Sequence, residues 1–321
     1  MKSKVAMLTE PGRFVMEERE VNCGADEVLV KVAVCGLCNW EKGFFTGVLP
    51  GAPCTLGHEW AGVVAEVGAN VTNLKAGDKI AVFPDALRGF AEYAPVKAEN
   101  CFKLADNIDV YQGFAEPLKC VATVLRSAHP EAGDFGVVVG CGPMGLWCIQ
   151  ALAGKMPGGL IAVDVDDAKL EAARQNGATH VINSRKQDAE ALVREITNGH
   201  MADFVIEGTG LPALVTPCIK MLRTGRGRLV LMSYYASDIK DFDFRLMADR
   251  GVVVTNPQPA YSADQLDDTR RAVALINNGT FCQEGIITHR FALDDIQTAF
   301  ETLVNKPSGY IKGVVICNEK M

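Results

Sequence analysis

Phe135-Gly-Val-Val-Val-Gly140-Cys-Gly-Pro-Met-Gly145 joins a short apolar run directly to three glycines spaced Gly-x-Gly-x-x-Gly, and Leu146, Ile149, Gln150 and Leu152 continue as a largely apolar helical segment. The spacing alone is a weak signal. A strand before it, a helix after it and Asp164 at the end of the next apolar run, Leu160 to Val163, supply the context of a dinucleotide-binding βαβ unit. Gly140 permits the tight turn, Gly142 lets a pyrophosphate approach the backbone, and Gly145 lets helix and sheet pack closely. Pro143 and Met144 complete the loop. The helix that begins there offers unpaired N–H groups and a partial positive charge to phosphates. Asp164 is placed to accept hydrogen bonds from a ribose 2′-hydroxyl and to repel a 2′-phosphate, which favours NAD over NADP. Asp166 and Asp167 add to that field or cap the following helix.

Downstream, strand-like runs at Phe204 to Ile206, Arg228 to Met232 and Val252 to Thr255 alternate with helical segments near 188–197 and 212–222. This is the layout of a doubly wound parallel sheet. Upstream the rhythm differs. From Met1 to about Tyr93 the period is mostly two, with Val28, Val30, Val32 and Val34 alternating, short β-rich runs at Trp60 to Gly68 and Asp78 to Phe83, and frequent glycines. That half reads as a β-rich, barrel-like domain. The tail from about Asp264 carries a helix, a strand-like Gly285 to Phe291, a second helix from Leu293 and a last strand near Gly313 to Cys317. The parallel sheet is already supplied, so these elements are free to return to the first domain.

The 321 residues fit two domains, and 48% hydrophobic with 22% charged residues is an ordinary globular composition. A formal charge of −7 without a basic block excludes the electrostatic footprint of a nucleic-acid binder. The opening residues hold too short an apolar run for a signal peptide, and no window approaches a membrane span. Eleven cysteines, an odd number in a long chain, read as reduced thiols, and the expectation is a cytoplasmic protein with no membrane partner.

Thr55-Leu-Gly-His-Glu-Trp60 sets an imidazole beside a carboxylate between two apolar runs, and Cys38 is the nearest soft ligand. Zinc takes nitrogen, sulfur and oxygen donors, and a catalytic site keeps one position open. Cys38, His58 and a carboxylate meet that need. The carboxylates on offer are Glu59 and Glu116, the latter beginning Glu-Pro-Leu just before the pattern changes from β-rich to alternating. Cys35-x-x-Cys38 has no second Cys-x-x-Cys to match it, so Cys35 reads as core. Cys54, Cys101 and Cys148 do too.

In this order, Cys35-Gly-Leu-Cys38, Gly57-His-Glu59, Val67-Gly68, Gly77-Asp-Lys79, Phe90-Ala-Glu-Tyr93, Glu116-Pro-Leu118, Gly140 to Gly145, Glu207-Gly-Thr-Gly210 and Thr288-His-Arg-Phe291 resemble the motifs of the medium-chain zinc-dependent alcohol dehydrogenases, especially the sorbitol, polyol and threonine dehydrogenase branch. The resemblance runs over nearly the whole chain. It implies an α/β protein in which residues 1–117 and 270–321 form a GroES-like catalytic domain and 118–269 a Rossmann, NAD-binding domain. It further implies that Cys38 and His58 hold one catalytic zinc, with Glu59 a direct or alternate ligand and Glu116 completing the site directly or through water. Thr209 would line the nicotinamide side of the cofactor. The implied activity is hydride transfer between NAD and a secondary alcohol on a polyol, sugar or related small molecule, in a homodimer or homotetramer.

Two departures stand out. Only seven residues separate Val82 from Phe90, where zinc-binding relatives often insert a lobe with four cysteines, so no structural zinc is expected. In Cys38-Asn-Trp-Glu41, Trp40 takes the place of the hydroxyl residue that commonly begins the proton relay, and an indole donates without accepting. Glu41, Glu59, Glu116 or a water chain would have to serve instead, with Trp40 either an apolar wall of the substrate pocket or core packing. A zinc-free quinone or enoyl reductase of the same superfamily is one rival reading, but such relatives lack the Cys, His and Glu set. A non-catalytic cofactor-binding sensor is the other, resting on Trp40 alone.

Overall fold

The computed structural model describes residues 1–155, 158–235 and 237–321, and the chain divides into two compact units, 1–119 with 266–321, and 120–265.

The strand Glu27–Gly36 is the centre of the first unit. It pairs antiparallel with Trp60–Val67, Tyr93–Lys97 and Lys312–Ile316. Its alternating valines do not translate into one dry and one wet face: all residues but Glu27 and Lys31 are buried, because one face looks into the main apolar cluster and the 3₁₀ turn Val110–Gln112 packs against the strand. The tail returns to this sheet. Ile287–Ala292 lies parallel to Lys312–Ile316, which lies against the central strand. Between them the helix Ile296–Asn305 sets Phe300 among Phe14, Phe45 and Phe90 at ring separations of 4.9 to 5.6 Å. Such a cluster contributes roughly 0.5–1.5 kcal/mol per aromatic pair beyond its buried area. A smaller sheet of Arg13–Glu20, Lys2–Glu10 and Cys54–Thr55 completes the β-rich unit.

The second unit is a parallel sheet ordered His180–Asn183, Gly159–Asp164, Phe135–Val139, Phe204–Glu207, Arg228–Leu231, Val253–Thr255. The order reverses between Phe135–Val139 and Phe204–Glu207. In open α/β sheets ligands bind at this switch point, beyond the carboxyl ends of the strands. The helix Pro143–Leu152 follows there, with proline in its first turn and its residues buried from Gly145 onward. Asp166 caps the helix Asp167–Gln175 by accepting from the Ala168 N–H, and Gly177, at φ +108°, ends it. The edge strand His180–Asn183 has no counterpart in the sequence reading: four residues with two apolar side chains fall below the pattern a strand needs to announce itself.

Among the described residues no helix is long and apolar enough to cross a membrane.

Candidate metal centre and nucleotide loop

Two chain segments meet at the metal-ligand candidates of the first unit. The central strand ends at Gly36, and Cys38 sits at the N-cap of the short helix Asn39–Phe45. His58 and Glu59 lead into the strand Trp60–Val67. The Gly36 N–H donates to the Glu59 carbonyl at 2.7 Å, which locks the first segment to the second. Glycine is required at both crossings. A Cβ on Gly36 would stand 2.1 Å from Glu59 Oε2, and one on Gly57, at φ +103°, would stand 2.5 Å from the Phe90 nitrogen.

The ligand atoms of Cys38, His58 and Glu59 all lie within 4.8 Å of one another, and among the described residues they are the group of three or more His, Cys, Asp or Glu side chains that converges in this way. A second layer holds them. Glu41, fully buried, brings Oε1 to 2.8 Å from His58 Nδ1 and accepts the Gly57 N–H at 2.6 Å. Its approach to Nδ1 is close but off-line for a hydrogen bond, so the contact is mainly ionic. Lys312 donates to Glu59 Oε2 at 2.5 Å and to the Leu37 carbonyl at 2.9 Å.

This arrangement fits a zinc ion. Sulfur, nitrogen and oxygen converge, Glu41 faces Nδ1 and would leave Nε2 to a metal, and a carboxylate behind a histidine is the usual outer partner of such a ligand. Glu41 Oε2 is buried with no hydrogen-bond partner, so this carboxylate needs positive charge on His58, from a proton or a metal. The electrostatics agree. Burial opposes a charge on His58, but Glu41 and Cys38 outweigh it and hold its pKa well above the ordinary imidazole value. Burial, then Glu59, pushes the Cys38 thiol up, and His58 pulls it partly back.

Glu116 opens the helix Glu116–Ala128 and stands beside this group. Its Oε2 is 3.8 Å from His58 Nε2 and its Oε1 is 3.1 Å from Lys119 Nζ. Trp40 is 51% exposed, so it is not core packing; its ring stands edge-on to His58 at 5.5 Å and to Phe44 at 5.1 Å. Cys35 and Cys148 are buried as the sequence reading expects, whereas Cys54 and Cys101 are only partly so. Sequence reasoning missed both lysines. Lys312 interrupts the apolar run Ile311 to Ile316, the one hint that its ammonium has a buried partner, while Lys119 follows Glu116 by one helical turn.

In the second unit, Gly140 has φ +94°, and a Cβ there would meet Thr209 Cγ2 at 2.9 Å. A Cβ on Gly145 would meet the Gly140 carbonyl at 2.0 Å, whereas the space beside Gly142 is open. Pro143 and Met144 form the first turn above it. Open space, a bare backbone and a helix N-terminus suit a pyrophosphate. Asp164 Oδ2 accepts the Cys141 N–H at 2.7 Å, and Oδ1 accepts those of Val165 and Asp166 at 2.7 and 3.0 Å. Thr209 is held from behind: its N–H and hydroxyl donate to buried Glu207, which also accepts from the Gly210 N–H and the Tyr235 hydroxyl.

Comparison with known proteins agrees with both units. Residues 24–106 match the alcohol dehydrogenase GroES-like domain and residues 143–258 the zinc-binding dehydrogenase model. The chain is 28% identical to an L-threonine 3-dehydrogenase of Bacillus licheniformis, covering 94% of this chain and 95% of that protein. It is 25% identical to a sorbitol dehydrogenase of Bacillus subtilis, covering 91% of each. The crystal structure of 2R,3R-butanediol dehydrogenase from Bacillus subtilis superposes with a TM-score of 0.86 at 27% identity, over 98% of this chain and all of that one.

Proposed function

Because the chain belongs to the medium-chain, zinc-dependent alcohol dehydrogenase family, we propose that it oxidises a secondary alcohol on a polyol, sugar or related small hydroxylated molecule to a ketone, with NAD as acceptor and one catalytic zinc. The observation that carries this reading is the convergence of Cys38, His58 and Glu59 within 4.8 Å, backed by Glu41 and Lys312. Bound zinc supplies Lewis acidity toward an alcohol oxygen, and bound NAD supplies the hydride acceptor.

The chain's own residues do the rest. Glu41 fixes the histidine's orientation, so that Nε2 is the nitrogen offered to the metal. Lys312 neutralises Glu59, which keeps a buried carboxylate from costing several kcal/mol. Glu116, 3.8 Å from His58 Nε2, lies outside the converging group and, with Glu41 committed to Nδ1, is the carboxylate best placed to hold a proton or a water beside the substrate. Trp40 offers a half-exposed aromatic edge and no acceptor, so it walls the site and leaves proton removal to the carboxylates. Asp164 sets the preference for NAD, and Gly140, Gly142, Pro143, Met144, Gly145 and Thr209 form the cofactor's bed. Eleven cysteines, an odd number in a long chain, support a reducing compartment, hence the cytoplasm, and a homodimer or homotetramer is the assembly the family favours.

A zinc-free reductase has no use for a buried thiol, imidazole and carboxylate in one place. Metal analysis of protein made with zinc available, followed by an NAD-reduction screen over polyols, sugars, sugar acids and amino alcohols, tests the reading. About one zinc per chain, lost together with activity in Cys38→Ser, is the expected result. Protein without zinc that nonetheless reduces NAD with an alcohol sinks the metal assignment.

A further inference from the structure

Each of the two carboxylates flanking the candidate metal centre carries a buried lysine. Lys312 lies 2.5 Å from Glu59, and Lys119, only 5% exposed, lies 3.1 Å from Glu116. Their situations differ. Glu59 belongs to the group that converges with Cys38 and His58, whereas Glu116 stands outside it, near His58 Nε2 with one oxygen and near Lys119 with the other. Lys119 itself is well anchored. Its ammonium sits 5.5 Å over the Phe83 ring, and its position one turn along the same helix keeps it in reach of Glu116.

An ammonium and a divalent cation compete for the same carboxylate charge. The Lys119–Glu116 pair is largely buried, so that competition is only weakly screened. We propose that Lys119 is a positioning residue that holds Glu116 back from the metal, so that Glu59 serves as the resting carboxylate ligand and Glu116 stays available to substrate, water or proton. The inference rests on the zinc-site reading above. It assigns the two carboxylates different tasks: Glu59 lies among the converging donors even with Lys312 beside it, whereas Glu116 lies outside them with Lys119 on its other oxygen.

Zinc affinity, measured on the full chain by competition with a chromophoric chelator, tests this without recourse to turnover. Glu116→Gln should leave affinity within about twofold of the parent, since the carboxylate it removes is already withheld. Lys119→Met should tighten zinc roughly tenfold or more by releasing Glu116, and Lys119→Arg should restore the parent value. In the Glu116→Gln background the same Lys119→Met change should have at most a few-fold effect, the remainder that loss of a nearby positive charge leaves through space. Cobalt(II) in place of zinc gives a second readout: the visible spectrum should change in Lys119→Met and not in Glu116→Gln. The proposal is overturned if Glu116→Gln alone weakens zinc tenfold, which would make Glu116 a resting ligand. It is equally overturned if Lys119→Met leaves affinity unchanged, or tightens it as much without the Glu116 carboxylate as with it. Should Lys119→Met not fold, the Glu116→Gln measurement decides. A parent chain that binds no zinc at all removes instead the metal-site reading on which this rests.

Discussion

Lys312 and Glu59, 253 residues apart in the chain, form a buried ion pair of 2.5 Å at the edge of the candidate metal centre. The pair ties the last strand to the first half of its own unit, and it sets a lysine charge against a carboxylate with almost no water to share it. Removing one partner strands the other. Lys312→Met should therefore cost about 3–5 kcal/mol of stability, and Lys312→Met with Glu59→Gln should recover much of that loss. Urea denaturation of the two variants checks this; a single substitution costing under about 1 kcal/mol would mean that the pair is not buried as described.

Gly36 gives a sharper test of the ligand set. A methyl group there would stand 2.1 Å from Glu59 Oε2, so Gly36→Ala must push the carboxylate out of its place. The expected result is at least a tenfold loss of zinc affinity, read by chelator competition, together with a lowered melting temperature. If Gly36→Ala destabilises the fold while zinc affinity holds, Glu59 is not a ligand and Lys312 has only a structural task.

Much of this was legible in the residues themselves. The glycine loop with its strand, helix and distal acid announces the parallel sheet, and the Cys38, His58 and Glu59 types announce a converging donor set, because both chemistries demand particular atoms at particular places. What stayed hidden is long-range. No periodicity reveals that Lys312 returns to Glu59, since the sequence distance carries no information about which strand a tail element joins. The short strand His180–Asn183 stayed hidden for a different reason: it is an edge strand that packs few side chains, and its place comes from pairing with Gly159–Asp164. The lysine partners of Glu59 and Glu116 were likewise out of sight, so the sequence offered the two carboxylates as equals. Trp40, open between core and pocket wall in the sequence, is decided by its exposure.

A pH effect should appear away from the metal. Asp78 accepts the Lys75 N–H at 3.0 Å and pairs with Lys103 at 2.8 Å. Burial raises its pKa, but these bonds outweigh burial and bring the carboxyl below its ordinary value. A carboxyl whose folded pKa is depressed stabilises the fold above its unfolded value, near 4, and loses that contribution as pH falls through the folded value. Lys103 is half exposed, so the pair is partly screened. Asp78→Asn should cost about 0.5–1 kcal/mol at pH 7, and the difference from the parent should shrink as pH falls below the unfolded carboxyl value. Equal destabilisation at pH 7 and pH 3 would assign the effect to the lost turn geometry and not to charge.

Asp164 is expected to do two things at once, and they separate by measurement. Its carboxylate accepts the Cys141 N–H within the glycine loop as well as the Val165 and Asp166 N–H groups at its own strand end, so it shapes the loop before any cofactor arrives. The same negative charge, at the end of the strand Gly159–Asp164, would oppose a 2′-phosphate. Asp164→Ser removes both the acceptor oxygens and the charge; Asp164→Asn removes the charge and keeps one acceptor. Calorimetric binding of NAD and NADP to each variant should then divide the roles. Both substitutions should shift the NAD to NADP affinity ratio toward NADP by roughly tenfold, the size of one charge interaction of about 1.4 kcal/mol. Asp164→Ser should in addition weaken both cofactors relative to Asp164→Asn, because the loop has lost its tether. A ratio unchanged in both variants would remove Asp164 from cofactor choice and leave it as a loop anchor alone.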